Sequence, residues 1–160
     1  MSAGEIEIRP ARPDEVEAVR DCYEWLFAPP GSRPGNWVPE WASAAIAEAI
    51  DSSSSTIFVA VAPGAEGEFV GFCTAYLDLL SVRYGLRCWV EDLAVDPERR
   101  SQGIGSRLLA AARRWAAESG ASHLELDSAE IRVDAHRFYE REGSNVRSVS
   151  FGWHGLGEQE

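Results

Sequence analysis

Two groups of residues have types and spacing suited to chemistry, and they are neighbours in the chain. The segment Arg100-Ser101-Gln102-Gly103-Ile104-Gly105-Ser106 places two glycines at the mouth of an amphipathic stretch. Glycines let a backbone turn sharply and approach a ligand closely. The first N–H groups of a helix lack intrahelical partners, and its N-terminus carries the positive end of the dipole, about half an elementary charge. Such a turn suits a phosphate or pyrophosphate. Just upstream stand Glu91 and Asp92, a carboxylate pair able to supply a general base. A phosphate cradle beside a base points to an enzyme that uses a pyrophosphate-bearing cofactor. The full Gly-x-Gly-x-x-Gly fingerprint of a dinucleotide fold is missing, because Leu108 occupies the third glycine position. No Gly-Lys-[Ser/Thr] is present, which excludes a Walker-type loop.

Those groups need a strand, a turn and a helix to position them. Cys88 to Val95 reads as the strand, and Gly103 to Glu118 as the helix. Ile104, Leu108, Leu109, Ala112, Trp115 and Ala116 share one helix face, and Gly120 is placed to end it. In a regular strand, successive side chains point to opposite faces. Glu91 and Asp92 are therefore expected to part, one facing the acceptor side and the other not. Further strands are expected around Ile6 and Ile8, over Thr56–Val61 and Phe69–Leu79, and over His123–Leu126. Val146–Trp153 alternates and is expected to close the sheet. Asp14 begins a helix whose apolar positions run from Val16 to Phe27, and Pro39–Ile50 and Val133–Glu142 give two more. Pro29–Gly35 is a loop by composition. The sum is a single α/β domain over residues 1–160: a twisted mixed sheet of about six to seven strands flanked by about four helices.

The bulk properties narrow the partners. A chain of 160 residues is long enough for one substantial core. With 15 basic and 26 acidic side chains the formal charge is −11, which argues against nucleic-acid binding and favours cationic small molecules or basic peptides. Against that background Arg99, Arg100, Arg107, Arg113 and Arg114 cluster in and after the glycine turn, where phosphates are expected. Cys22, Cys73 and Cys88 follow no metal-binding spacing, and Cys73 and Cys88 lie within apolar runs. They read as buried free thiols, fitting a reducing cytoplasm, with no metal expected. Neither a signal core nor a membrane-length apolar stretch is found, so no membrane partner is expected.

Three further segments complete a pattern. Leu93-Ala-Val-Asp-Pro97 precedes the turn, Ala135-x-x-Phe138-Tyr139-x-x-x-Gly143 follows it, and Ile8-Arg9-Pro-Ala-Arg12 opens the chain before a helix. Together with Arg100-x-x-Gly103-x-Gly105, the sequence resembles the GNAT superfamily of N-acetyltransferases over nearly its whole length. That resemblance implies acetyl-CoA as co-substrate, bound where the fourth and fifth strands splay. The backbone of Leu93, Ala94 and Val95 would pair with the pantetheine arm. Arg100, Ser101, Gln102, Gly103, Ile104, Gly105 and Ser106 would hold the pyrophosphate. Tyr139 matches the tyrosine aimed at the cofactor sulfur, the general acid for the leaving thiolate. Glu91 matches a glutamate that serves some relatives as base. An ordinary glutamate has a pKa near 4.3, against roughly 10 for an ammonium group, so it would act through a water or with its pKa raised by burial. Arg132 stands where many relatives have a pantetheine-contacting asparagine, and Ser101 where a glycine is common. His136, on the helix face of Tyr139, reads as a packing residue.

The resemblance also places the acceptor amine, near Trp25 to Trp41 and the Leu79 to Arg87 turn. Trp25, Phe27, Trp37 and Trp41 surround the proline-glycine loop and suit a cation or a hydrophobic amine. With the acidic charge, they favour a small cationic amine over a protein N-terminus or lysine. A GNAT-shaped acyl-CoA-binding module with a sensory or regulatory role is the competing class. A homodimer, through the sheet edge or the C-terminal strand, is the family's habit.

Overall fold

β-Branched and aromatic residues crowd the middle of the chain, and there they build one sheet. In the computed structural model, which describes residues 4–157, the strands are β1 (Glu7–Pro10), β2 (Ser55–Val61), β3 (Phe69–Ser81), β4 (Gly85–Val95) and β5 (His123–Leu126). They lie in sequence order, β1 to β4 antiparallel and β5 parallel to β4. A parallel neighbour requires a crossover, and α4 (Ile104–Glu118) supplies it. The remaining helices are α1 (Val16–Cys22), the single turn α2 (Glu24–Phe27), α3 (Pro39–Asp51) and α5 (Val133–Arg141). Two compact units result: Met1–Leu126, which holds the sheet and α1 to α4, and Asp127–Glu160, which holds α5.

Each face of the sheet is buried. On one side Ala60, Val70, Cys73, Ala75, Cys88 and Val90 pack against Ile104, Leu108 and Ala112 of α4. On the other, Ile57, Val59 and Phe72 pack against Val19 and Cys22 of α1 and Ile46 and Ala49 of α3. Gly71 sets the spacing of the α4 layer. A Cβ there would lie 2.9 Å from Leu108 Cδ1, 3.0 Å from Ile104 Cγ2 and 3.2 Å from the Ala94 carbonyl oxygen.

Three expectations are corrected. The sheet has five strands rather than six or seven, because Val146–Trp153 forms none; Val146, Val149, Phe151 and Trp153 are all more than 70 % exposed. Alternation matches a strand, but a strand exists only with a ladder partner, and among the described residues this segment has none. The helix expected from Asp14 to Phe27 is broken, into a 3₁₀ turn at Pro13–Glu15, then α1, then α2. The Glu15 carboxylate accepts the Arg12 N–H at 2.8 Å and is gripped by Arg9 at 2.9 and 2.6 Å, which fixes the first turn. At Tyr23 the chain tightens to i→i+3 bonds, Tyr23 N–H to Arg20 O at 3.1 Å and Leu26 N–H to Tyr23 O at 2.9 Å. The third correction, the course of β4, belongs to the site. Among the described residues no helix is long and apolar enough to cross a membrane.

Candidate active site

β4 is not regular where it carries its carboxylates. Its partners in β3 run Leu93 to Cys73 and Val90 to Ala75, so three steps of β4 oppose two of β3. This is a β-bulge with Glu91 and Asp92 opposite Thr74. The pleat therefore skips: Val90 and Leu93, three apart, both pack in the core beneath α4. Glu91 and Asp92 consequently share the other face, that of α1 and α3, instead of parting as a regular strand would force. Asp92 lies under Tyr23, at the junction of α1 and α2, whose hydroxyl donates to Asp92 Oδ2 at 2.6 Å. The Thr74 hydroxyl accepts the Asp92 N–H at 2.9 Å and donates to Oδ2 at 3.4 Å. Thr74 thereby satisfies a backbone donor at the bulge. Glu91 is exposed, and the Trp89 indole N–H donates to its Oε2 at 2.6 Å.

Burial raises the Asp92 pKa above its ordinary 3.8, and the Glu91 charge adds to this, against the opposing hydrogen bonds from Tyr23 and Thr74. Burial likewise raises the Tyr23 hydroxyl, with Asp92 adding to it, so Tyr23 stays a donor.

Aromatic rings wall this face. The Tyr23 ring lies 4.9 Å from Phe72 and 5.7 Å from Trp37, centroid to centroid. Phe27 meets Trp37 edge-on at 4.8 Å, and Trp25 lies 6.5 Å from Phe72. Arg33 in the proline-glycine loop stands 5.4 Å over Phe27 and pairs with Glu24. Two of the four aromatics expected at the acceptor loop, Phe27 and Trp37, thus pack with Tyr23, which bonds Asp92, while Trp25 lies instead beside Cys22 and Phe69. Trp41 does neither, being 72 % exposed on α3.

The remainder of β4 leads to the glycine turn. Its parallel ladder with β5 runs only from Arg87–His123 to Val90–Leu126. Beyond Val90, β4 continues to Val95 paired with β3 alone, so the backbone of Leu93, Ala94 and Val95 presents an open edge to that side. Asp96 caps the following 3₁₀ turn, Pro97–Arg99, through the Glu98 N–H at 3.0 Å. Ser101 and Gly103 then take positive φ, +64° and +75°, and Gly103 is the N-cap of α4. The first turn of α4 (Ile104, Gly105, Ser106, Arg107) carries no acidic residue to oppose an anion. An open strand edge running into a glycine-capped helix start fits an extended arm ending in a pyrophosphate. The arginine cluster is thinner than expected, since Arg99 pairs with Glu68 at 3.7 Å and Arg107 with Glu5 at 3.5 Å.

One compact unit thus brings together Glu91, Leu93, Ala94, Val95, Arg100 and Ser101–Ser106. Arg132, His136 and Tyr139 belong to the other unit. There Arg132 stands at the N-cap position of α5 without a side-chain cap bond, Tyr139 packs edge-on to Phe138 at 5.2 Å, and the His136 ring bonds the Ala129 carbonyl at 3.0 Å. Sequence reasoning missed Tyr23, Thr74 and Trp89 as neighbours of the carboxylates. Thr74 alone gave a signal, as a hydroxyl inside the apolar run Val70–Ala75.

The profile of the acetyltransferase (GNAT) family matches residues 17–143. The aminoalkylphosphonate N-acetyltransferase of Salmonella typhimurium is 40% identical over 77 residues, 48% of this chain and 50% of that protein. Streptothricin acetyltransferase of Streptomyces lavendulae is 37% identical over 97 residues, 61% of this chain and 48% of that protein. The chain thus spans about half the length of these curated relatives. The structure of aminoglycoside N-acetyltransferase AAC(6')-Iy in complex with CoA superposes with a TM-score of 0.77 over 96% of this chain and 99% of that one, at 20% identity, and shares its fold.

Proposed function

Because the chain belongs to the acetyltransferase (GNAT) family, we propose that it moves an acetyl group from acetyl-CoA to the primary amine of a small cation. One observation carries this reading: the bulge sets two carboxylates on one face, beneath aromatic rings, on the strand whose open edge runs into the α4 turn. The aminoalkylphosphonate enzyme, by its name, acts on an acceptor bearing an amino group, which supports the same acceptor class. Residues 1–160 act in this reading as one acetyltransferase domain.

Acetyl-CoA supplies the thioester carbonyl. The amine arrives as ammonium and must lose a proton before its lone pair attacks. Glu91 is the base, reaching the ammonium through a water, with its carboxylate oriented by the Trp89 indole. The β4 backbone at Leu93, Ala94 and Val95 holds the pantetheine arm by strand-like pairing. The turn from Arg100 to Ser106 holds the pyrophosphate by backbone N–H groups. Tyr139 donates the proton that the departing thiolate takes up, and Arg132 contacts the cofactor where relatives use an amide.

The test is thiol release from acetyl-CoA across polyamines, aminoglycosides, amino acids, aminoalkylphosphonates and short peptides. The expected result is turnover of one class of compact cationic amine. Glu91→Gln and Tyr139→Phe should each lower kcat by about 10²-fold while acetyl-CoA binding, measured by calorimetry, persists. Tight CoA binding with no turnover of any amine would overturn the reading in favour of a regulatory CoA-binding module.

A further inference from the structure

Asp92 is the charged group that acetyl transfer by Glu91 leaves unused, and it is the more elaborately held of the two carboxylates. The bulge carries it, Thr74 seats its backbone N–H at 2.9 Å, and the Tyr23 hydroxyl grips its Oδ2 at 2.6 Å. Neither Tyr23 nor Thr74 brings the positive charge that a half-buried, desolvated carboxylate calls for. The charge that does act on it is another carboxylate, Glu91. Such an arrangement is unfavourable for the protein by itself and becomes favourable when a cation arrives. The rings of Tyr23 and Trp37 stand on the same side and add faces that attract a cation, the Phe27 face being already covered by Arg33.

We propose that Asp92 is the carboxylate that binds the cationic acceptor, and that Tyr23 is its positioning residue, fixing Asp92 beside Glu91 while its ring forms part of the acceptor wall. The proposal rests on the acetyl-transfer reading and deepens it. It divides the labour between neighbours, Asp92 seating the cation and Glu91 taking the proton.

The groups facing Asp92 are Tyr23 from the α1–α2 junction, Thr74 and Tyr76 from β3, and Glu91 on its own strand; the Cys73 thiol lies on the opposite, α4 face of the sheet. Of these, the Tyr23 hydroxyl donates the short bond that favours the charged form. Removing it lets Asp92 take up its proton at higher pH.

The experiment compares wild type with Tyr23→Phe, which keeps the ring, measuring kcat/KM for the best acceptor from pH 5 to 9. In Tyr23→Phe the acceptor KM should rise about tenfold, the loss of one hydrogen bond to a charged group. The KM for acetyl-CoA should hold, and the acidic limb of kcat/KM should move to higher pH. A purely structural role for the hydroxyl would move neither the limb nor the acceptor KM selectively. Asp92→Asn gives the same test should Tyr23→Phe fail to fold, with an acceptor KM raised tenfold or more. An unchanged limb and acceptor KM in a folded variant, while wild type turns over, overturns this inference and leaves acetyl transfer standing. Absence of turnover by wild type overturns both.

Discussion

Ser101 holds φ at +64°, a left-handed conformation that disfavours any residue with a Cβ by roughly 1–2 kcal/mol. Glycine, which adopts that conformation freely, should relieve part of this, so Ser101→Gly should raise stability by up to about 1 kcal/mol in a urea titration, less the extra freedom it gives the unfolded chain. Asp92 carries a second residue-scale prediction. Its folded pKa lies above the ordinary 3.8, so between those values the folded state holds the extra proton, and stability falls as pH rises through that interval. Asp92→Asn should therefore melt higher than wild type at pH 7, with the difference vanishing as pH drops toward 4. A half-buried carboxylate kept at the expense of stability is the signature expected of a binding group. At this scale the sequence exposed Glu91 and Asp92 through their place in an apolar run. It hid Tyr23, whose hydroxyl bond to Asp92 spans 69 positions and arises only from packing α1 on the sheet.

Elements were more legible than contacts, because periodicity is local and packing is not. The face Ile104, Leu108, Leu109, Ala112 and Ala116 is buried as the helical spacing requires, and β2 to β5 lie where β-branched and aromatic runs put them. The error at Val146–Trp153 came from the same rule: alternation describes a strand's faces but says nothing about a neighbour for its backbone. The bulge in β4 was invisible for a related reason, since two consecutive carboxylates read equally well as opposite faces of a regular strand. Gly71 shows how tightly α4 sits on the sheet. Gly71→Ala should destabilise by about 1–3 kcal/mol, because its Cβ would press on Leu108, Ile104 and the Ala94 carbonyl. Chemical denaturation checks this, and the paired variant Gly71→Ala/Leu108→Val should recover part of the loss.

For the whole molecule, composition governs how the chemistry can be read. All 15 basic side chains are arginines, so the sequence holds no lysine amine to compete with an added acceptor. Incubation with acetyl-CoA should leave every internal peptide at its unmodified mass in a digest. The thiols are equally quiet. Burial pushes Cys22 up to about 12 and Cys88 up to about 11, and raises Cys73 further. A disulfide reagent at pH 8 should label none of the three in the native protein and all three in denaturant. Thiol release by the native protein in the proposed assay then reports coenzyme alone.

The bulge has a consequence for how such a site can be gained or lost. Val90 and Leu93 face α4 with two residues between them, whereas an unbroken pleat needs only one. One of the pair Glu91–Asp92 is therefore supernumerary to the register. An in-frame deletion of Asp92 would return β4 to plain alternation with Val90, Leu93 and Val95 still inward on one face and Ala94 on the other. Deleting Leu93 instead would leave the pleat to carry a carboxylate where the core expects a hydrocarbon. The site's second charge is thus one residue held in excess of plain alternation, absorbed locally by the Thr74 hydroxyl that takes up its N–H while the inward positions on either side keep their places.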